Sequence, residues 1–218
     1  MVVADGVGGW KNYHVDPAEF SKELCKNVSE IFLQYDLKNE NFNCNMNTGT
    51  QTLSDFNYIS SDNIGYSETV VKKLLIKSTN MTKNCGTSTC TILMLDRNKA
   101  KLYSSYIGDS CYLILRYDND KSEYYKEYLS EEQMHNEFFN TPYQIGKEGD
   151  DPEEAKTQTH ELKNNDLIIL ATDGLWDNLE LDTIIKIVNE NIKNYPIINT
   201  KELADLIAEE AEKKSNDK

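Results

Sequence analysis

Three aspartates in this sequence share one local pattern: each follows an apolar run and stands beside a glycine. They are Asp5, Asp109 and Asp173. A single Asp-Gly pair most often marks an ordinary turn. We expect these three strand ends to lie side by side in one sheet, where their carboxylates would lie along the same edge. Carboxylates at that density repel each other unless a divalent cation neutralises them.

A cluster of this kind predicts a particular chemistry. Hard oxygen ligands suit Mg²⁺ or Mn²⁺ better than zinc. Two such ions held roughly 3.5–4 Å apart can acidify a bridging water and clamp a phosphoryl group for in-line attack. The pattern therefore predicts hydrolysis of a phosphate ester by an activated water, without a protein nucleophile.

The first third of the chain predicts two helices separated by a polar insertion. Asp16 and Pro17 form a helix start, and apolar residues continue from there at helical spacing. Residues 38–58 are rich in Asn, Ser and Thr and lack periodicity, which predicts a surface insertion. A second helix is expected from about Ser61 to Ser78.

The middle of the chain is rich in strand-forming residues. Predicted strands follow one another at hairpin spacing, at 87–95, 102–107, 111–117 and 123–128. We expect them to form one antiparallel meander, with one of its turns at Gly108-Asp109-Ser110. A polar, acidic stretch at 146–154 precedes a further buried strand at 166–171.

The end of the chain predicts two helices and a short disordered tail. One helix is expected over 181–192, and another begins at an N-cap at Thr200 and runs to about Lys213, before a tail at 214–218. Helices at both ends with strands between them favour an α+β fold over an alternating βαβ fold. A length of 218 residues fits a single domain over the whole chain.

Composition restricts the partners. Lys and Arg number 23 against 37 Asp and Glu, a net charge of −14, so binding to nucleic acid is not expected. No apolar run approaches the roughly 20 residues that span a bilayer, so membrane insertion is not expected either. The five cysteines form no C-x-x-C pair, which excludes a zinc ribbon and favours reduced, intracellular thiols. The oligomeric state is not indicated.

Four motifs, in order, resemble those of the metal-dependent type 2C protein serine/threonine phosphatases. The motifs are V-A-D-G-V-G-G at 3–9, G-T-S-T at 86–89, G-D-S at 108–110 and A-T-D-G-L-W-D at 171–177. Trp10 and the segment F-N-T-P-Y-Q at 139–144 resemble in particular the branch typified by mitochondrial-matrix members. The resemblance implies an α-β-β-α sandwich, in which two antiparallel sheets are flanked by helices.

The resemblance also implies a set of site residues and cofactors. Asp5 would bridge two Mn²⁺ or Mg²⁺ ions, the Gly6 carbonyl would bind one of them, and Asp173 the other. Asp109 would touch a weaker third ion. Asp5 and Asp173 are thus the expected catalytic residues, and phosphorylated proteins are the expected substrates. Trp176 is expected to be a core aromatic residue beneath the metal rim.

The small residues of two motifs are expected to pack around the site rather than act in it. These residues are Thr87, Ser88, Thr89 and Ser110. One departure from the family pattern concerns proton transfer, since Val7 stands where many members have a histidine, and valine cannot transfer a proton. His14 is close in sequence but is expected at the surface, and neither His135 nor His160 has a better spacing.

A second departure concerns the two ends of the chain. In the family, a strand before the first motif and a late strand after the last helices bring further acidic residues, and neither is found between Met1 and Lys218. The fold is therefore expected to be incomplete. We expect a fragment, a truncated gene model or a protein that has lost catalysis.

Three functional hypotheses follow from these features. The first is a phosphatase acting on phosphoserine and phosphothreonine. The second is a pseudophosphatase that binds a protein partner or a phosphorylated segment without hydrolysing it. The third is an acidic domain whose Asp-Gly pairs are only turns. The compartment is expected to be the mitochondrial matrix or the cytoplasm, and the physiological substrate is not indicated.

Overall fold

The computed structural model describes residues 1–39, 65–135, 140–194 and 198–217. Most of the predicted insertion, residues 40–58, lies outside the described residues, so that expectation stays a prediction. Residues 38 and 39 form the end of the first helix. No helix in the described ranges is both long enough and apolar enough to cross a bilayer.

Nine strands and five α-helices make up the described part of the chain. The strands are β1 (Val2–Val3), β2 (Thr87–Ser88), β3 (Cys90–Asp96), β4 (Lys101–Ile107), β5 (Cys111–Asp118), β6 (Glu123–Leu129), β7 (Ile145–Gly146), β8 (Lys156–Glu161) and β9 (Leu167–Ala171). The helices are α1 (Pro17–Asn39), α2 (Glu68–Met81), α3 (Asp173–Trp176), α4 (Leu181–Asn194) and α5 (Thr200–Asn216).

All strand pairs are antiparallel, and they form three sheets. The largest has the order β1-β3-β4-β8, a second has the order β6-β5-β9, and β2 and β7 form a small third sheet. The prediction of a single meander is therefore wrong. Because β4 already has β3 and β8 as neighbours, it has no free edge for β5, and the chain passes to the second sheet at Gly108-Asp109-Ser110.

Helices cover the outer faces of the two large sheets. A buried cluster that includes Leu24 of α1 and Leu75 of α2 lies against the four-stranded sheet. A second cluster, with Ile184 of α4 and Leu203 of α5, lies against the three-stranded sheet. A third, centred on Tyr112, fills the space between the sheets. This is the predicted α-β-β-α order of layers.

Two helix boundaries differ from the sequence prediction, and both differences come from capping. Helix α2 begins at Glu68 rather than near Ser61, because the Ser67 hydroxyl accepts a hydrogen bond from the Val70 amide. Helix α5 is capped by the Asn199 side chain rather than by Thr200. It continues to Asn216, so the expected disorder of the tail does not hold for residues 214–216.

Strand β8 was not predicted because its sequence, K-T-Q-T-H-E, is polar and carries no apolar alternation. It pairs along β4, from Tyr106 opposite Lys156 to Lys101 opposite Glu161, and four of its six residues are half-buried. A polar strand at the edge of a sheet satisfies the backbone of its neighbour without adding to the core. Strand β9, in contrast, matches the predicted apolar strand in position, but its five residues are half-buried rather than buried as expected.

Candidate metal centre

Asp5 follows β1, and its backbone is fixed by hydrogen bonds from the segment that contains β2. The Asp5 carbonyl accepts a bond from the Thr89 amide at 3.0 Å and another from the Ser88 hydroxyl at 2.7 Å. The Asp5 amide donates to the Thr89 hydroxyl at 3.3 Å. These three hydrogen bonds to Ser88 and Thr89 hold the backbone of Asp5 in position, which leaves its carboxylate available to the site.

Gly6 lies where no other residue fits. An added Cβ would be 2.0 Å from the carbonyl oxygen of Pro17, the first residue of α1. Gly6 is bridged to Ser88, and the Val7 amide donates to the Thr87 carbonyl at 3.0 Å. The start of α1 therefore packs directly against the turn whose carbonyl is the expected metal ligand.

Asp173 reaches the site from the other sheet. It is the first residue of α3, two residues after the end of β9, and its carbonyl accepts a bond from the Asp177 amide at 2.9 Å. The Trp176 indole donates to the Ala171 carbonyl at 2.9 Å and packs against the core below β9. Trp176 was expected to be a core aromatic residue, and it is partly buried against the core cluster in the helix that begins at Asp173.

The Asp5 carboxylate lies close enough to Asp173 to affect the protonation of the Asp173 carboxylate. Burial raises the pKa of Asp173, and the neighbouring Asp5 raises it further through a hydrogen bond and its negative charge. The expected proximity of the two groups is therefore confirmed. The expected geometry was wrong in one respect, because the carboxylates come from the ends of two sheets rather than from one sheet.

Asp109 lies at the end of β4 on the same acidic surface. Its residue is 7 % exposed, and burial together with the negative charge of Asp173 raises its pKa to about 6. Glu132 and Asp177 add smaller contributions of the same sign. Sequence reasoning did not single out these last two. Asp177 stands one helical turn after Asp173, which is a usable signal, whereas nothing local marks Glu132.

The residues present fit a hard divalent cation held mainly by two carboxylates. Nowhere in the described ranges do three His, Cys, Asp or Glu side chains come close enough together to enclose a metal ion. Mg²⁺ commonly binds through one or two carboxylates and keeps several waters, and carbonyl oxygens serve it as well. Asp5 and Asp173, with the Gly6 carbonyl on the same turn as Asp5, meet this smaller requirement.

The small residues of the motifs lie inside the fold. The hydroxyls of Thr89 and Ser110 are 2.7 Å apart and buried, and the Thr91 hydroxyl donates to the Ser110 carbonyl at 2.5 Å. These bonds tie the turn that carries Asp109 to the segment that fixes Asp5. Their position agrees with the packing role expected of them.

The three histidines lie in different surroundings. His14 is exposed and ends the 3-10 turn after the glycines, as the sequence predicted. His135 pairs with Asp150 and stacks on Tyr143. His160 lies between the two large sheets, 2.8 Å from the Tyr112 hydroxyl.

Known protein phosphatases are similar to this chain in sequence. The family profile described as Protein phosphatase 2C matches residues 151–218, which include Asp173. The chain is 31% identical over 218 residues to the Protein phosphatase PTC7 homologs of Danio rerio and Homo sapiens. The alignment covers 96% of this chain, 62% of the first relative and 61% of the second. The chain thus spans about three fifths of the length of these relatives.

Solved structures show the same architecture. The photosystem II phosphatase PBCP superposes with a TM-score of 0.72 at 27% identity, covering 97% of this chain and 67% of that one. The catalytic domain of the serine threonine protein phosphatase PstP, solved with two manganese ions, gives 0.58 at 15% identity, covering 96% and 79%. At that identity the second likeness concerns the fold alone. Together with the ordered motifs, these findings show that residues 151–218 match a protein phosphatase 2C domain and that almost the whole chain is similar to phosphatases of that family.

Proposed function

We propose that this chain carries a metal-dependent protein phosphatase activity directed at phosphoserine and phosphothreonine. The observation that carries the proposal is the meeting of Asp5 and Asp173 at the ends of two different sheets, where Asp5 and burial raise the pKa of Asp173. A fold that spends stability on bringing two like charges together needs a cation to offset their repulsion. Mn²⁺ or Mg²⁺ has the chemistry that this oxygen donor set fits.

The residues would divide the binding as follows. Asp5 would bridge two ions, the Gly6 carbonyl would complete one site and Asp173 the other, and Asp109 would contact a weaker third. Divalent cations held by these residues would supply an acidified water and would neutralise the charge of a phosphoryl group. The protein itself holds Asp5 in place through Thr89 and Ser88, and it holds Asp173 at the start of α3.

Proton delivery to the leaving alcohol does not come from residue 7. The Val7 side chain has no exchangeable proton, so this position contributes only its amide, which fixes the turn to Thr87. A metal-bound water or another side chain would have to supply the proton instead.

A pseudophosphatase is the second candidate, and one observation favours it. No three metal-ligating side chains converge in the described residues, so the metal centre rests on two carboxylates. In this alternative the same surface binds a phosphorylated segment without hydrolysing it. The two candidates differ in turnover and not in binding.

The partners and the compartment follow from the family and the composition. Phosphorylated proteins are the proposed substrates, and the net charge of −14 argues against nucleic acid. The mitochondrial matrix or the cytoplasm is the proposed location. Fractionation of cells with an antibody against this chain would test it, and recovery in a secreted fraction would contradict it.

The direct test of function is hydrolysis of a phosphothreonine peptide by this chain in Mn²⁺. We expect phosphate release that disappears with EDTA and in Asp5→Asn or Asp173→Asn. Asp120→Asn changes an exposed aspartate in the turn before β6 and is the matched control. Circular dichroism of each variant establishes that it is folded. Turnover that survives both site changes would refute the phosphatase assignment, and absence of turnover in the folded parent would favour the pseudophosphatase.

A further inference from the structure

An aromatic pair lies on the surface immediately after the turn that carries Asp5 and Gly6. The 3-10 turn Gly8–Tyr13 contains Trp10 and Tyr13 and has no buried residue. Tyr13 is 75% exposed, Trp10 is half-buried, and their ring centroids are 5.9 Å apart. Core packing therefore does not explain why two large aromatic residues stand here.

Hydrogen bonds rather than burial hold Trp10 in place. Its indole donates to the Thr87 hydroxyl at 2.7 Å, and that hydroxyl donates to the side-chain oxygen of Gln144 at 2.5 Å. The backbone amide of Gln144 donates to the Asp150 carboxylate at 2.8 Å. Thr87 is 4% exposed, so both of its bonds are protected from water. A surface tryptophan is thus fixed by residues from two other segments of the chain, one at Thr87 and one at 144–150.

This aromatic pair and the candidate metal centre are attached to the same short segment. Thr87 binds the Trp10 indole and the Val7 amide, while Thr89 binds the Asp5 carbonyl. Two residues of extended chain span about 7 Å. A peptide whose phosphate lies at the carboxylates advances by a similar distance over two residues. The spacing of the two anchors, Thr87 and Thr89, therefore matches the spacing of neighbouring residues in an extended peptide.

We propose that Trp10 and Tyr13 form a docking surface for an apolar side chain that flanks the phosphorylated residue of a substrate. Thr87 and Gln144 are its positioning residues. Tryptophan and tyrosine offer large contact areas at a low cost in conformational entropy, and a fixed indole loses little further freedom on binding. The proposal rests on the proposed function in one respect, which is the binding of the substrate phosphate at the carboxylates of the candidate metal centre.

Selectivity between two phosphopeptides tests the proposal. One peptide carries leucine on both sides of the phosphothreonine and the other carries glycine. We expect the parent to prefer the leucine peptide about tenfold in kcat/KM, and Trp10→Ala to lose that preference. The matched control is Tyr125→Ala, which removes an aromatic side chain that is 42% exposed on β6 of the other sheet. This control is expected to keep the preference.

Variants at Gln144 separate positioning from scaffolding. Gln144→Ala removes the acceptor for the Thr87 hydroxyl and is expected to reduce the preference about threefold. Gln144→Glu keeps an acceptor oxygen and is expected to restore it. The proposal is overturned if kcat/KM for both peptides falls equally in Trp10→Ala, or if an acidic flanking residue is preferred to leucine.

A binding measurement keeps the proposal testable if the parent does not hydrolyse either peptide. Fluorescently labelled phosphonate analogues of the two peptides, which cannot be hydrolysed, are titrated with the chain in Mn²⁺ and followed by anisotropy. Tighter binding of the leucine analogue, lost in Trp10→Ala, supports the docking surface even when the phosphatase assignment has failed. Equal binding of both analogues by the parent overturns it.

Discussion

The two aspartates of the candidate metal centre meet from regions that are supported very differently. Asp5 follows β1, whose neighbour β3 lies against the cluster formed with α1 and α2. Asp173 follows β9, which pairs with β5 on one side and, among the described strands, has no partner on the other. All five residues of β9, L-I-I-L-A, are apolar, yet each is only half-buried.

This difference shows that an apolar sequence does not by itself bury a strand. β5 is buried over its first six residues because it lies between β6 and β9. The free side of β9 faces a groove of about 810 Å³ that is bordered by β1 and α5. In the part of the chain that the structure describes, strand β1 is also an edge strand, but Asp5 is fixed by hydrogen bonds to Ser88 and Thr89. The Asp173 side of the centre depends instead on β5 and on the helices below it.

The largest expected effect concerns the anchor at the start of β9. Arg116 of β5 binds both oxygens of the Asp166 carboxylate, at 3.0 and 2.8 Å, and the Asp166 side chain is 2% exposed. Arg116→Met would leave this buried charge unpaired, so we expect a loss of about 3–5 kcal/mol in the free energy of unfolding. Denaturant titration measures the loss.

A surface ion pair provides the control for this change. Lys101 pairs with Glu161, whose side chain is 87% exposed, so Lys101→Met is expected to cost less than about 1 kcal/mol. Equal losses in the two variants would show that Arg116 does not anchor β9.

The next largest effect compares two leucines that face each other in the sheet. Leu115 of β5 is opposite Leu167 of β9, and both belong to the cluster under α4 and α5. Leu115 is 0% exposed, so Leu115→Ala should cost about 2–5 kcal/mol. Leu167→Ala should cost about 1 kcal/mol because Leu167 is only partly buried. A larger loss of stability in Leu167→Ala than in Leu115→Ala would contradict the partial burial of β9.

Protonation of Asp109 provides a smaller effect, with a definite sign. Its pKa is raised to about 6, so the folded chain takes up this proton at a higher pH than the unfolded chain does. In metal-free buffer the contribution of this group to stability therefore grows as the pH falls from about 7 towards the unfolded value of about 4. Melting temperatures measured across that range should rise more steeply with acid in the parent than in Asp109→Asn. If the melting temperatures of the parent and of Asp109→Asn changed equally with pH, the raised pKa of Asp109 would be contradicted.

His160 is expected to produce the opposite trend. Burial between the sheets lowers its pKa, so the unfolded chain binds a proton more readily than the folded one. Its contribution to stability is present above the unfolded pKa of about 6.5 and is lost as the pH falls below it. His160→Gln should remove this acid sensitivity, which melting curves would detect. His14→Gln, at an exposed position, should behave like the parent.

Much of the fold could be predicted, because its strands and helices carry their own local signals. The apolar runs of β3, β4, β5 and β9 and the Asp16-Pro17 helix start were all recognisable. The distribution of strands between two sheets was not, since it depends on which strands have free edges. The polar strand β8 was missed because pairing with β4, rather than its own composition, makes it a strand.

The candidate site was predictable in its members and not in its geometry. Asp5, Asp109 and Asp173 each stand at a strand end beside a glycine, which the sequence alone reveals. They approach from two facing sheets because the chain passes from one sheet to the other at Gly108. The φ of 96° at Gly108 turns the chain away from β4. Glu132 joins them only through tertiary structure, so no spacing could have indicated it.

Calorimetric titration with Mn²⁺ tests the central claim, that Asp5 and Asp173 together form a divalent cation site. We predict that the metal-free chain binds Mn²⁺ and that Asp5→Asn and Asp173→Asn each weaken binding at least about tenfold. The control Asp120→Asn should bind like the parent. Undiminished Mn²⁺ binding in both site variants, with circular dichroism showing them folded, would contradict the account.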